Sequence, residues 1–261
     1  MHPFLQISPP FVIAHRGGTE QAVENSDTAF AQSIRMGVRY LESDVRTTSD
    51  GVAILQHDPD LTRVAHYGAR IDEITWHEIA RIELPDGGRM MRLDEALTTW
   101  PGIRWNLDVK DDRSVVPTVT ALLRARVLDR VCVASFSNRR LLRLRAALGP
   151  DAATGATWRE ALAILRIPGG TRYLGRQWQV GDGRPVAVQV PPSSRGLPLI
   201  TRGSVAAAHA LGMQVHAWTI NDPRQMRRLL DLGVDGVVTD VPSVALEVIA
   251  NGAAPSGAPA G

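Results

Sequence analysis

Repetition constrains this chain most: short apolar runs alternate with amphipathic, helix-like segments from Phe11 to Ile249. The pattern predicts strands over 11–14, 40–45, 53–56, 103–109, 131–134, 152–156, 186–190, 214–219 and 236–239. It predicts helices over 26–36, 75–82, 115–126, 139–148, 158–165, 205–211, 223–232 and 243–249. The stretch 60–94 reads as an excursion and 191–198 as a proline-rich loop. Strands that alternate with helices become parallel strands joined by helical crossovers. About eight such units within 261 residues favour an α/β class TIM (β/α)8 barrel, with a short insertion after the second strand region, over an open doubly wound sheet. Residues 1–250 are expected to form that barrel. The remainder, 251–261, has almost nothing to bury and reads as a disordered tail.

Composition excludes several classes. At 44% hydrophobic and 21% charged residues, the chain is globular rather than disordered. Its 29 basic and 27 acidic residues are interspersed, so no basic block points to nucleic acid. The densest basic stretch, 139–145, keeps its apolar residues on one helical face, as a solvated outer helix does. No apolar run approaches the length of a membrane helix, and the first residues lack a secretory pattern, so the expected location is cytoplasmic without stable membrane insertion. Cys132 is the single cysteine and reads as a buried strand residue. Every basic residue but Lys110 is an arginine, which makes that one ammonium worth explaining.

In a barrel, chemistry sits where strands end and βα loops begin. His15 and Arg16 follow the first strand, Glu42 and Asp44 lie on the second, and His57 and Asp58 end the next short one. Asp108 and Lys110 close the strand over 103–109, and Trp218 closes that over 214–219. Two apart on a strand, Glu42 and Asp44 point to one face, and such a pair needs a cation or a proton. With Asp108 as a third hard oxygen donor, Mg²⁺ or Ca²⁺ suits the set better than zinc. The alternative is pairing of these carboxylates with Arg16 or Lys110. His15 and His57 can act as acid and base near neutral pH, and Arg16 and Lys110 offer charge for a phosphate oxyanion. His2, His66, His77, His209 and His216 read as structural. Trp218 either stacks on the substrate's carbon skeleton or fills the barrel mouth.

Taken in order, 13–17 (Ile-Ala-His-Arg-Gly), Glu24-Asn25, Glu42-Ser43-Asp44, 48–51 and His57-Asp58 resemble the glycerophosphodiester phosphodiesterases. So do 106–110 (Asn-Leu-Asp-Val-Lys), Ser135-Phe136, Trp218-Thr219 and 236–242, and the similarity runs from about 11 to 250. The resemblance implies a TIM barrel that hydrolyses glycerophosphodiesters to glycerol 3-phosphate and an alcohol with one divalent cation, Ca²⁺ or Mg²⁺. It implies Glu42, Asp44 and Asp108 as metal ligands and His15 and His57 as the catalytic acid–base pair. Arg16, Lys110 and Trp218 are the expected substrate contacts. Two positions depart from the family pattern: Asp108 stands where glutamate is usual, and Ser26 follows Glu24-Asn25 where threonine is usual. Competing readings are a glycosidase, a phosphodiesterase directed at phospholipid or lysophospholipid head groups, and a barrel that binds phosphodiesters without turnover. Carboxylates side by side on one strand fit a glycosidase poorly, because its pair must flank the bond.

Overall fold

The computed structural model describes residues 2–166 and 185–252. Eight parallel strands surround one axis: β1 (Phe11–Ala14), β2 (Tyr40–Thr47), β3 (Arg104–Val109), β4 (Val131–Ala134), β5 (Ala153–Thr154), β6 (Ala187–Val190), β7 (Gln214–Ala217) and β8 (Gly236–Thr239). They pair in the order β5-β4-β3-β2-β1-β8-β7-β6. A parallel bridge between Gly155 and Ala187 joins the two outer members, so the expected barrel closes. At that seam the Ala156 N–H donates to the Ala187 carbonyl at 2.8 Å, and the Val186 N–H to the Thr154 carbonyl at 2.8 Å.

The two-residue period of a strand sorts side chains between lumen and helical layer. Val12, Leu41, Val45, Leu107, Val133, Val188, Val215 and Val237 belong to the large apolar cluster packed under the helices. Phe11, Ile13, Tyr40, Cys132 and Val238 fill the lumen instead, together with Phe4 from the short 3-10 turn Pro3–Leu5. That turn is anchored by the Tyr40 hydroxyl, which donates to the Phe4 carbonyl at 2.6 Å. Cys132 is buried as expected, and burial pushes its thiol up to about 12, so it stays inert.

Above this plug lies a polar layer. Gln189 Nε2 donates to Asn106 Oδ1 at 2.8 Å and lies 3.2 Å from His216 Nδ1, while His216 Nε2 reaches Gln214 Oε1 at 3.1 Å. Burial pushes the fully enclosed His216 down to about 3, so it stays neutral and structural, as the sequence reading had it.

Several elements depart from the sequence pattern. The strand Ala53–Leu55 pairs antiparallel with the end of β2 rather than joining the barrel wall, and it carries the chain back across the barrel mouth to His57. The excursion holds a small hairpin (Asp60–Leu61 with Tyr67–Arg70), and a helix, Leu93–Thr99, follows it where none was expected. The proline-rich loop 191–198 contains an antiparallel pair, Ser193–Ser194 with Leu197–Pro198. Trp218 lies one residue beyond β7. Asn251 and Gly252 end the helix Pro242–Gly252 rather than beginning a tail, and residues 253–261 lie outside the described residues.

The basic outer helix Asn138–Leu148 is present, but one of its arginines is not solvated. Arg145 is 5% exposed and reaches the closing seam, donating to Thr154 Oγ1 at 2.9 Å and to the Gly155 carbonyl at 2.8 Å. Its other donors grip Glu160 at 2.8 and 2.9 Å. Removing Arg145 takes a buried cation from Glu160 and two donors from the seam, so Arg145→Met is expected to lower unfolding stability by about 3 kcal/mol in urea titrations. Arg145→Lys is expected to recover less than half of it, because an ammonium lacks the planar fork.

Candidate active site

All eight predicted site residues, His15, Arg16, Glu42, Asp44, His57, Asp108, Lys110 and Trp218, line one cavity of about 320 Å³ at the C-terminal end of the strands. The register explains the carboxylates: Glu42 and Asp44 alternate into the lumen on β2, and Asp44 lies level with Asp108 on β3. Lys110, just past β3, sets its ammonium between them, 2.7 Å from Asp44 Oδ1 and 2.6 Å from Asp108 Oδ2. The pairing of carboxylates with Lys110, weighed as an alternative in the sequence, is thus present.

The two aspartates are not equivalent. Burial raises Asp44, but Lys110 and Arg16 outweigh it, and Asn25 Nδ2 donates to Oδ2 at 3.1 Å, so the carboxyl is held below its usual range. Burial pushes Asp108 up despite Lys110, and its Oδ1 is buried without a hydrogen-bond partner. Burial also pushes Glu42 up, reinforced by the charge of Asp44. The Arg16 backbone N–H donates to Glu42 Oε2 at 3.0 Å.

That donation requires a tight turn after β1. Arg16 takes a left-handed φ of 52° and Gly17 one of 87°, and a Cβ on Gly17 would lie 2.7 Å from a ring carbon of Phe30. Only glycine fits there. Beyond the turn, the Arg16 Nη1 donates to both oxygens of Glu24, at 3.0 and 3.2 Å, and its Nε lies 3.3 Å from Asp44 Oδ2. Ser26 caps the helix Asp27–Arg35 through the Ala29 N–H at 3.1 Å, so its exchange for the usual threonine leaves the cap intact.

Each histidine is tied through Nδ1 to a carboxylate. His15 Nδ1 lies 2.6 Å from Asp240 Oδ1, and His57 Nδ1 lies 2.7 Å from Asp58 Oδ1. The carboxylate selects the tautomer with the proton on Nδ1 and leaves Nε2 for proton transfer. Burial lowers His15, but the Asp240 bond and the charge of Glu42 prevail and raise it. Asp240 is itself held by Asn221 Nδ2 at 2.7 Å. On the opposite wall, Trp218 meets Phe136 edge-to-face with centroids 5.6 Å apart, and the Lys110 ammonium lies 5.6 Å from the Phe136 ring.

Asp240, Asn221, Arg63 and the supporting parts of Glu24, Asn25 and Asp58 were not singled out as site residues in the sequence. Adjacency to His57 marked Asp58, and Asp240 stood inside a matched motif. Arg63 carried no signal, being one arginine in a helical turn of the excursion.

Among the described residues, no three His, Cys, Asp or Glu side chains are gathered as a ready-made metal centre. The donors nevertheless fit a hard dication. Glu42, Asp44 and Asp108 supply only carboxylate oxygen, one oxygen of Asp108 lacks a partner, and burial raises two of the three carboxyls.

The model of the glycerophosphoryl diester phosphodiesterase family matches residues 15–244. Among curated proteins, the chain is 37% identical over 240 residues to a probable glycerophosphodiester phosphodiesterase 2 of Mycobacterium tuberculosis, covering 91% of this chain and 89% of that one. Among solved structures, it is similar to a protein of Silicibacter pomeroyi described as a glycerophosphoryl diester phosphodiesterase, with a TM-score of 0.77 and 25% identity over 96% and 98% of the two chains. It also shares its fold with an Oleispira antarctica phosphodiesterase solved with the product sn-glycerol-3-phosphate, with a TM-score of 0.74 and 24% identity over 93% and 97%.

Lys110 is the test of the carboxylate balance. Lys110→Met is expected to lower stability by about 3 kcal/mol in chelator-containing buffer, because Asp108 then loses its ammonium partner and faces the charge of Asp44. Adding Asp108→Asn is expected to recover more than half of that loss, read from urea midpoints.

Proposed function

Because the chain belongs to the glycerophosphoryl diester phosphodiesterase family, we propose that its two histidine–carboxylate pairs perform the acid–base work of the reaction. The enzyme hydrolyses glycerophosphodiesters to glycerol 3-phosphate and an alcohol. The observation that carries the proposal is the geometry of the pairs: two imidazoles fixed at Nδ1 by Asp240 and Asp58 line the cavity that also holds Arg16, Lys110 and three carboxylates.

One imidazole takes a proton from the nucleophile, either water or the glycerol 2-hydroxyl, as the P–O bond forms. The other gives a proton to the departing alcohol oxygen as its bond to phosphorus breaks. The hydroxyl route gives a cyclic phosphate, which water then opens to glycerol 3-phosphate as the two imidazoles exchange roles. Arg16 and Lys110 orient the phosphoryl oxygens and offset their charge. Trp218 and Phe136 provide the apolar wall against the carbon skeleton. The family generally depends on a divalent cation. Glu42, Asp44 and Asp108 are the proposed ligands for Ca²⁺ or Mg²⁺, which when bound supplies Lewis acidity at the phosphoryl group. The proposed unit of function is the barrel of residues 1–250, with a small glycerophosphodiester as its partner. No helix among the described residues is long and apolar enough to cross a membrane. A cytoplasmic setting is proposed with the rest.

The decisive assay follows glycerol 3-phosphate released from glycerophosphocholine in chelator and then with Mg²⁺ or Ca²⁺ restored. His15→Asn and His57→Asn are each expected to lower kcat by about 10²- to 10⁴-fold while the cation still binds. A variant within tenfold of the parent removes that histidine from the mechanism. Normal turnover of a diester lacking the 2-hydroxyl assigns water as the nucleophile, and loss of turnover assigns the hydroxyl.

A further inference from the structure

The excursion carries one side chain back to the site. Leu61, Val64, Ile71, Ile79, Leu84 and Met90 give it a small apolar core of its own with Ile54. From the short helix Thr62–Ala65 on that core, Arg63 reaches two carboxylates at once. Its Nε donates to Asp58 Oδ2 at 2.6 Å, while Nη1 and Nη2 donate to the two oxygens of Glu24 at 2.7 and 2.8 Å. Asp58 presents its other oxygen to His57, and Glu24 accepts Arg16 Nη1. One guanidinium therefore stands behind both an acid–base histidine and a phosphate contact.

We propose that Arg63 is a positioning residue that fixes His57 through Asp58 and Arg16 through Glu24. The inference rests on the roles proposed above for His57 and Arg16. An exposed ion pair contributes little by itself, but a bidentate fork shared with a third bond leaves its partners few orientations. Without Arg63, Asp58 loses its second anchor and His57 gains freedom to rotate away. Glu24 is then left to Arg16 alone, which draws that guanidinium toward the carboxylate and away from the cavity. A lysine does not replace the fork, because an ammonium does not match the planar geometry that gives one bond to Asp58 and one to each oxygen of Glu24. The side chain of Arg63 is 49% exposed, so its removal opens a notch to solvent rather than a cavity in the core.

The test compares Arg63→Ala, Arg63→Lys, Asp58→Asn and Arg63→Ala/Asp58→Asn with the parent in the glycerophosphocholine assay, alongside thermal unfolding. Arg63→Ala is expected to unfold cooperatively near the parent temperature, with kcat lower by about 10- to 100-fold and KM several-fold higher. Its kcat effect is expected to vanish in the Asp58→Asn background, while the rise in KM persists through Glu24. Guanidinium added to the buffer is expected to restore part of the Arg63→Ala activity and none of the double variant's kcat. Arg63→Lys is expected to remain below the parent in kcat or raised in KM, and it carries the same test where the alanine form fails to fold. Parent-like kcat and KM in Arg63→Ala or Arg63→Lys overturns the inference, as do independent, multiplicative effects of Arg63 and Asp58 on kcat. His57→Asn separates the two levels: full activity in that variant overturns the reading of His57 itself. Loss of activity in His57→Asn with a parent-like Arg63→Ala overturns the role of Arg63 alone.

Discussion

The ammonium of Lys110 between Asp44 and Asp108 is the contact on which the site depends. A strand of period two cannot place Glu42 and Asp44 in the lumen without concentrating negative charge there, and β3 adds Asp108 at the same level. Buried carboxylates tolerate this only beside positive charge or a proton. The response extends outward as a chain of alternating sign: Asp108, Lys110, Asp44, Arg16, Glu24, Arg63, Asp58 and finally His57. It begins on β3 in the lumen and ends on the segment that folds back across the mouth. The ion pairs that neutralise the lumen thus also orient a histidine and three cations.

The barrel makes such a chain tolerable by separating its layers. Phe4, Phe11 and Tyr40 seal the lower lumen, with Phe11 stacked on Tyr40 at 4.4 Å between centroids. The Asn106–Gln189–His216–Gln214 layer then satisfies its own polar atoms and stays uncharged. Apart from Glu42, which lies level with Asn106, the charged groups of the lumen appear above it, where strands end and loops supply partners. The same order explains why His216, though inside the barrel, has no part in the chemistry. Its two nitrogens are already engaged below the carboxylates, whereas His15 and His57 each keep one nitrogen for the cavity.

Legibility in the sequence followed the source of each constraint. The parallel barrel was readable because alternation of apolar runs reflects burial on two sides, and the site residues on β1, β2 and β3 were readable because strand ends face the mouth. Lys110 stood out as the single lysine, and its position between two aspartates accounts for it. The helix Leu93–Thr99 was hidden: it is short, follows an irregular excursion, and has only Leu93, Ala96 and Leu97 to bury. The hairpin at 193–198 was hidden by Pro191, Pro192 and Pro198, which read as loop although the backbone pairs on either side of Arg195 and Gly196.

Arg63 and Asp240 mark a harder limit. A pairing set by tertiary approach leaves no period in the sequence, since His15 and Asp240 lie 225 residues apart and Arg63 and Glu24 lie 39 apart. Among so many arginines, residue type carried no information either. What distinguishes Arg63 is that its excursion has an apolar core, which makes a surface arm stiff enough to aim a guanidinium. An insertion without such a core presents its charges to water and orders nothing. The core under Leu61 and Val64 is therefore the physical reason that a segment outside the barrel bears on the geometry within it.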